Sequence, residues 1–191
     1  KGKQLFNFAK KHKLKIGKID DLISYRLKSE KFVKLKKTSQ IKINKETFRI
    51  KIFENLLDGS ENFALIKGII KKNKSTRVRV ISSNIVKNYL MGEKLPNSFN
   101  KTILYFKKYK DCVLVFIRDT NLKSVSEVLK AYSDKKFYIN GNDKLIKNYG
   151  IGAQIISALN INKMILITRS KKKVVGLDGY GIKITKQEII K

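Results

Sequence analysis

Apolar and polar residues alternate over three stretches in the first half of the chain. Val33-Lys34-Leu35, Ile41-Lys42-Ile43 and Phe48-Arg49-Ile50-Lys51-Ile52-Phe53 keep a period of two, the spacing of half-buried strands. Asp58-Gly59-Ser60 reads as a turn, and residues 63–66 and 77–81 read as the two strands that follow, around a turn at 71–75. This pattern predicts an antiparallel sheet over that part of the chain. Upstream, residues 4–12 and 19–33 read as two helices joined by Leu14-Lys15-Ile16-Gly17. Asp20 and Asp21 open the second helix, where carboxylates suit the positive end of the helix dipole.

Downstream the period lengthens. Residues 82–109 read as two helical pieces broken at Gly92-Glu93-Lys94-Leu95-Pro96, with the sole proline marking the break. Ser98 is placed as the N-cap of the second piece, with Phe99, Ile103 and Phe106 on one face. Residues 112–117 and 164–168 are unbroken apolar runs, as in strands buried on both faces. Ser124-Val125-Ser126-Glu127 has the form of a capping box opening a helix to Tyr132, and residues 182–185 read as a last strand. The fold class expected is α+β: a mixed, largely antiparallel sheet with flanking helices.

Asn148-Tyr149-Gly150-Ile151-Gly152-Ala153-Gln154-Ile155 stands out within this pattern. Two glycines two apart precede apolar residues at helical spacing, Ile151, Ile155 and Leu159. The stretch is read as a tight turn feeding a helix, since glycine reaches positive φ freely. The free N–H groups of such a helix start can hold an anion, although a turn ahead of a core helix explains the same glycines without a ligand.

Length and composition narrow the classes. At 191 residues and 42% apolar, the chain suffices for one domain with a real core, or one domain and an appendage. No apolar run approaches the ~20 residues needed to span a bilayer. Lys1-Gly2-Lys3-Gln4 is neither an initiator methionine nor a signal peptide, so the chain is expected to be a piece of something longer. Cys112 is the single cysteine and cannot by itself make a disulfide or a cysteine-based metal site; it is expected to be a buried, inert thiol in a reducing cytoplasm. His12, the single histidine, lies among lysines and reads as a surface residue rather than a base.

The formal charge is +29, which would ordinarily suggest a nucleic-acid or other anionic partner. Of 44 cations, however, only Arg26, Arg49, Arg77, Arg79, Arg118 and Arg169 are arginines. The lysines are spread along the whole chain, alongside abundant Ile and Asn and no Trp, as A/T-rich coding would give. That favours a solvated coat. Lysine also lacks the planar fork that reads bases bidentately. A basic nucleic-acid-binding module is kept as an alternative, with the expectation against it.

Six segments in one order carry a resemblance: residues 61–68 (Glu-Asn-Phe-Ala-Leu-Ile-Lys-Gly), Val78-Arg79-Val80 followed by Ser82, Leu129-Lys130-Ala131-Tyr132, residues 148–155, Leu166-Ile167-Thr168, and Val175-Gly176-Leu177-Asp178-Gly179-Tyr180-Gly181. From about residue 40 to the end the chain resembles GTP cyclohydrolase II, the enzyme that opens riboflavin biosynthesis. Residues 6–33 look like the C-terminal tail of 3,4-dihydroxy-2-butanone 4-phosphate synthase, which precedes the cyclohydrolase in the bifunctional fusion. The resemblance implies residues 1–35 as synthase tail and linker, residues 36–191 as the cyclohydrolase-like domain, and a cytoplasmic homodimer with a fused synthase as partner.

What the resemblance implies about chemistry is mixed. The family places zinc on three cysteines spaced C-x10-C-x-C, and those positions fall on Asn84, Leu95 and Asn97. No cofactor is therefore expected. The family's Asp-x-Arg-Asp-Tyr segment aligns with Leu145-Ile146-Lys147-Asn148-Tyr149, so a proton acceptor becomes leucine and an arginine becomes Lys147. Its Gln-Glu-Gly-Arg becomes Asp119-Thr120-Asn121-Leu122, and the histidine and glutamate flanking Ser82 become Ile81 and Ser83. Tyr132 keeps the position of the family's catalytic tyrosine, while Arg79, Thr168 and Lys173 keep positions lining its nucleotide pocket. Each also has a plain structural explanation, as a strand-surface charge, the end of an apolar stripe, a strand-end hydroxyl or one more lysine. The expected function is a domain without zinc or ring-opening activity that stabilises or regulates the fused synthase and holds a nucleotide or phosphate. A still-active hydrolase with an altered site is the alternative.

Overall fold

The alternating stretches between residues 33 and 53 form a hairpin. β1 (Val33–Ile43) and β2 (Glu46–Asn55) pair antiparallel across Asn44 and Lys45, whose φ values of 50° and 69° are those of a type I′ turn. The computed structural model describes residues 2–17, 25–26, 29–82, 95–118, 142–171, 174 and 177–190. The chain divides into two compact units, Lys1–Lys31 and Phe32–Lys191. In the first, α1 (Gly2–Lys11) agrees with the expected helix, and Leu5, Phe6 and Phe8 are exposed on it. In the same unit Arg26 and Glu30 form an i,i+4 ion pair, while most of the expected helix at 19–33 lies outside the described residues. Val33, read from sequence as its end, is the first residue of β1.

In the second unit β3 (Glu61–Lys67) continues the antiparallel run beside β2. The expected pairing of the next strand does not occur. β4 (Thr76–Ser82) is separated from β3 by β5 (Cys112–Ile117), which is antiparallel to β3 and parallel to β4. β6 (Lys163–Thr168) and β7 (Lys183–Ile189) add further parallel pairs. Among the described residues the seven strands make one sheet in the order β1-β2-β3-β5-β4-β6-β7. The expected mixed sheet between helices is the one that forms, antiparallel on one side of β5 and parallel on the other. Parallel neighbours need long crossovers, so β4 finds its partners far along the sequence.

Among the described residues, two helices flank the sheet. α2 (Leu95–Lys107) sends Ile103 and Phe106, both fully buried, onto Phe48, Leu65, Ile81 and Leu114. Burying two such side chains contributes roughly 3–6 kcal/mol before the entropy of ordering them. α3 (Asn142–Ala158) packs Gly152 against Ile117 and Val80. Successive strand residues face opposite ways, so Ile81 and Val80, and Leu114 and Ile117, put α2 and α3 on opposite faces.

The helices correct two readings. Gly150 and Gly152 lie inside α3, not in a turn ahead of it, so the anion-holding helix start read at this stretch is not formed there. Gly152 serves close approach instead: a Cβ would stand 3.0 Å from Ile117 Cδ1 and 3.6 Å from Val80 Cγ1. Gln154, from the same stretch, is buried and its Oε1 accepts a 2.7 Å hydrogen bond from the Phe32 N–H. Pro96 sits in the first turn of α2, where its missing N–H has no intrahelical partner to lose, and Ser98 falls inside the helix rather than capping it. The last strand runs on to Ile189. The helices read before residue 92 and at 124–132 lie outside the described residues. No helix among the described residues is long and apolar enough to cross a membrane.

Candidate functional site

β4 and β6 are adjacent and parallel, so their carboxyl ends lie at the same edge of the sheet. Ligands of α/β sheets collect at that edge, where the chain must leave the strands and cross over. A cavity of about 330 Å³ opens there, reached by α3 through Gly152 and by the 3-10 turn Leu177–Tyr180 through Leu177. Val80, Met164 and Leu166 give it an apolar floor. Its described polar lining is Arg79, Ser82, Thr168, Arg169 and Ser170.

Arg79 is held by the sheet itself. It is 7% exposed, and its Nη1 donates a 3.0 Å hydrogen bond to the Ile167 carbonyl. Burial first, and the nearby charge of Arg169 second, lower its pKa to about 10, so the guanidinium stays protonated at neutral pH. Thr168 ends β6 and is 6% exposed. Its Oγ1 is buried with no hydrogen-bond partner among the described residues. A buried hydroxyl left in that state normally carries a cost, so it calls for an explanation.

A second polar cluster ties β4, β7 and α2 together. The Tyr105 hydroxyl donates to Glu188 Oε2, and Arg77 Nε lies 3.5 Å from the same oxygen. The Arg77 guanidinium also stands 3.7 Å above the Tyr109 ring, a cation–π contact. The Tyr105 hydrogen bond, aided by the charges of Lys186 and Arg77, holds the Glu188 carboxyl below the usual glutamate range against the opposing effect of burial. Tyr105 is held well above the ordinary phenol range, by burial first and by Glu188 second. Charge pairing, a hydrogen bond and a ring contact thus hold these side chains to one another, as in a structural clamp.

Of the residues singled out from sequence, Arg79 and Thr168 are brought to one cavity. Asn84, Tyr132 and Lys173 lie outside the described residues. Leu95 and Asn97 fall in the first turn of α2, and Lys147 lies on α3. Arg169 also lines the cavity and was not singled out from sequence; its position directly after Thr168, as one of few arginines, is the signal available. Cys112 is buried in β5 as expected, and burial pushes its thiol up to about 12, in keeping with an inert side chain.

The arrangement defines a class: a mixed-sheet domain with a cation-lined cavity at the carboxyl ends of its parallel strands. Residues 34–188 match the family described as GTP cyclohydrolase II. The chain is 32% identical over 199 aligned residues to the riboflavin biosynthesis protein RibBA of Aquifex aeolicus, covering 98% of this chain and 49% of that protein. It is 31% identical to the monofunctional riboflavin biosynthesis protein RIBA 2, chloroplastic, of Arabidopsis thaliana, covering 95% of this chain and 39% of that one. Among solved structures it resembles RibBX, a two-domain 3,4-dihydroxy-2-butanone 4-phosphate synthase from A. baumannii, with TM-score 0.65 and 28% identity over 98% of this chain and 48% of the other. The chain therefore belongs to the GTP cyclohydrolase II family. It spans about half the length of the relatives it matches, or less.

Proposed function

We propose that this chain is a GTP cyclohydrolase II-family domain of riboflavin biosynthesis without zinc-dependent ring opening. It acts as a structural or regulatory domain fused to a 3,4-dihydroxy-2-butanone 4-phosphate synthase, and it retains a pocket for a phosphorylated ligand. The observation that carries this reading is the donor set. Asn84, Leu95 and Asn97 occupy the positions that the resemblance assigns to three zinc thiolates. Two neutral amides and an aliphatic side chain supply neither the charge nor the softness that holds zinc. The chain's one cysteine is a buried, protonated thiol in β5, and its one histidine belongs to the first unit. The family's zinc does not fit these residues.

Loss of the acid–base apparatus points the same way. Leu145 cannot take a proton, and Lys147 carries charge without an arginine's fork. Tyr132 alone of the catalytic positions is kept. By contrast, Arg79 and Thr168 persist and meet at one cavity, to which we add Lys173 by position in the family. A site that keeps its anion-binding groups while losing its metal ligands is suited to binding without turnover.

Residues 1–35 we assign to the synthase tail and linker, and we take a second copy of the chain as a further partner, checked by sedimentation equilibrium. The activity test is direct. Purified full chain, loaded with zinc and then desalted, is analysed for metal and incubated with GTP. We expect no stoichiometric zinc and no ring-opened pyrimidine. One equivalent of zinc together with that product overturns the reading.

A further inference from the structure

Arg169 is the member of the cavity that neither sequence nor family position singled out. It follows Thr168 at the exit of β6, lines the cavity and is exposed, whereas Arg79 lines the same cavity from β4 and is buried. Like charges set this close work against each other, and burial of one makes the opposition stronger. The two-cation arrangement is stabilised when an anion enters. Among the described lining residues there is no aspartate or glutamate to repel one.

Three features narrow the anion. Two guanidiniums offer forked donors that match the oxygens of a phosphate in pairs, and they favour a dianion over a single carboxylate. The Thr168 hydroxyl, more than nine-tenths buried and without a partner among the described residues, is a third group able to donate. The floor of Val80, Met164 and Leu166 offers nothing to a heavily hydrated body. About 330 Å³ lies at the small end of the roughly 300–1,000 Å³ usual for ligand pockets, which suits one phosphate with a compact apolar or planar body.

We propose that Arg169 and Arg79 form a two-arginine clamp for a phosphate monoester dianion, with Thr168 as a third contact and the apolar floor taking a compact ring. This deepens the proposed function and rests on its claim that the pocket still takes a ligand. Arg169 closes from the solvent side onto an anion that Arg79 anchors from within the sheet. The clamp thus sets the ligand class through groups on β4 and β6, independently of the positions once assigned to zinc.

The test uses isothermal titration of the full chain with phenyl phosphate, inorganic phosphate and phenol. Phenyl phosphate is expected to bind one-to-one and more tightly than inorganic phosphate, with no measurable heat from phenol. Arg169→Gln should weaken phenyl phosphate by about tenfold, with Arg169→Lys intermediate. Lys171→Gln, an exposed cation two residues on, should change it less than about twofold if a clamp rather than a diffuse positive coat is responsible. Equal effects of Arg169→Gln and Lys171→Gln, phenol binding as tightly as phenyl phosphate, or no phenyl phosphate binding would each overturn the clamp. GTP turnover is assayed on the same samples. Turnover would end the silent-domain reading whatever the titrations give, whereas loss of the clamp without turnover removes the clamp alone.

Discussion

The two sides of the sheet handle positive charge in opposite ways. On β1 the cations are lysines at exposed positions, Lys34, Lys36, Lys37 and Lys42, along an antiparallel hairpin. On β4, inside the parallel side, they are the arginines Arg77 and Arg79, mostly withdrawn from solvent and committed to Glu188, to the Tyr109 ring and to the Ile167 carbonyl. The cause lies in topology. Parallel strands carry crossover elements on their faces, so a charge on them must find a partner, whereas an antiparallel ribbon can leave one face in water. A positive charge therefore carries little information on one side of this domain and much on the other. The cavity is on the side where it is informative.

Four perturbations test that contrast. The largest effect is expected at the seam between the sides. Gly68 follows β3 with φ of 73°, and a Cβ there would collide with the Lys110 carbonyl and the Asp111 carboxylate. Gly68→Ala should cost at least about 3 kcal/mol, combining left-handed strain with a backbone clash. A melting temperature lowered by about 6 °C or more would show it; an unchanged one would mean the seam gives way easily.

Glu188→Gln comes next, at about 1–2 kcal/mol in urea unfolding, since it uncouples Tyr105 and Arg77 from β7. The pH dependence has a definite sign. Glu188 has a folded pKa below its unfolded value, so its stabilisation is complete above the unfolded glutamate pKa of about 4.3 and is lost as pH falls through the lower folded value. The variant and the parent should therefore converge in stability at acid pH. Parallel curves down to the acid limit would assign the cost to packing.

Thr168→Val should leave the fold unharmed or raise its stability by up to about 1 kcal/mol, because a buried hydroxyl without a described partner is replaced by a methyl of like shape. The same change should weaken phenyl phosphate, so stability and binding would move in opposite directions. A destabilised variant would point to a partner supplied from elsewhere in the chain. The smallest effect belongs to the exposed side. Lys36 lies 3.6 Å from both Glu54 and Glu61, yet its side chain is 44% exposed, and Lys36→Ala should cost less than about 0.5 kcal/mol. A cost equal to that of Glu188→Gln would erase the distinction drawn between the two sides.

The exposed side was also the more legible one. A strand with one wetter face writes its period into the sequence, so β2 could be read directly, whereas β1 showed an alternation only at its two ends, 33–35 and 41–43. The buried apolar runs of β5 and β6 were recognisable as strands, but nothing local tells such a run which neighbour it will pair with. β4 was accordingly set beside β3, when β5 in fact lies between them. The glycines of α3 misled for a related reason. A glycine needed for positive φ and one needed for close packing look alike in sequence, and Gly152 is of the second kind. At the site, Arg79 and Thr168 were found through their positions in family segments. The clamp of Arg77, Tyr105, Tyr109 and Glu188 was out of reach, because its members come from three separate elements and share no local pattern.

Lys36 has a role beyond its weak ion pairs. The β1–β2 register slips between Leu35 and Lys37, so Lys36 is the extra residue of a bulge on the outermost strand. A kinked, lysine-studded rim makes a poor template for a foreign strand, and one copy of the chain cannot zip onto the next along it. It also makes a shared ladder along β1 an unfavourable way for a second copy to meet this domain.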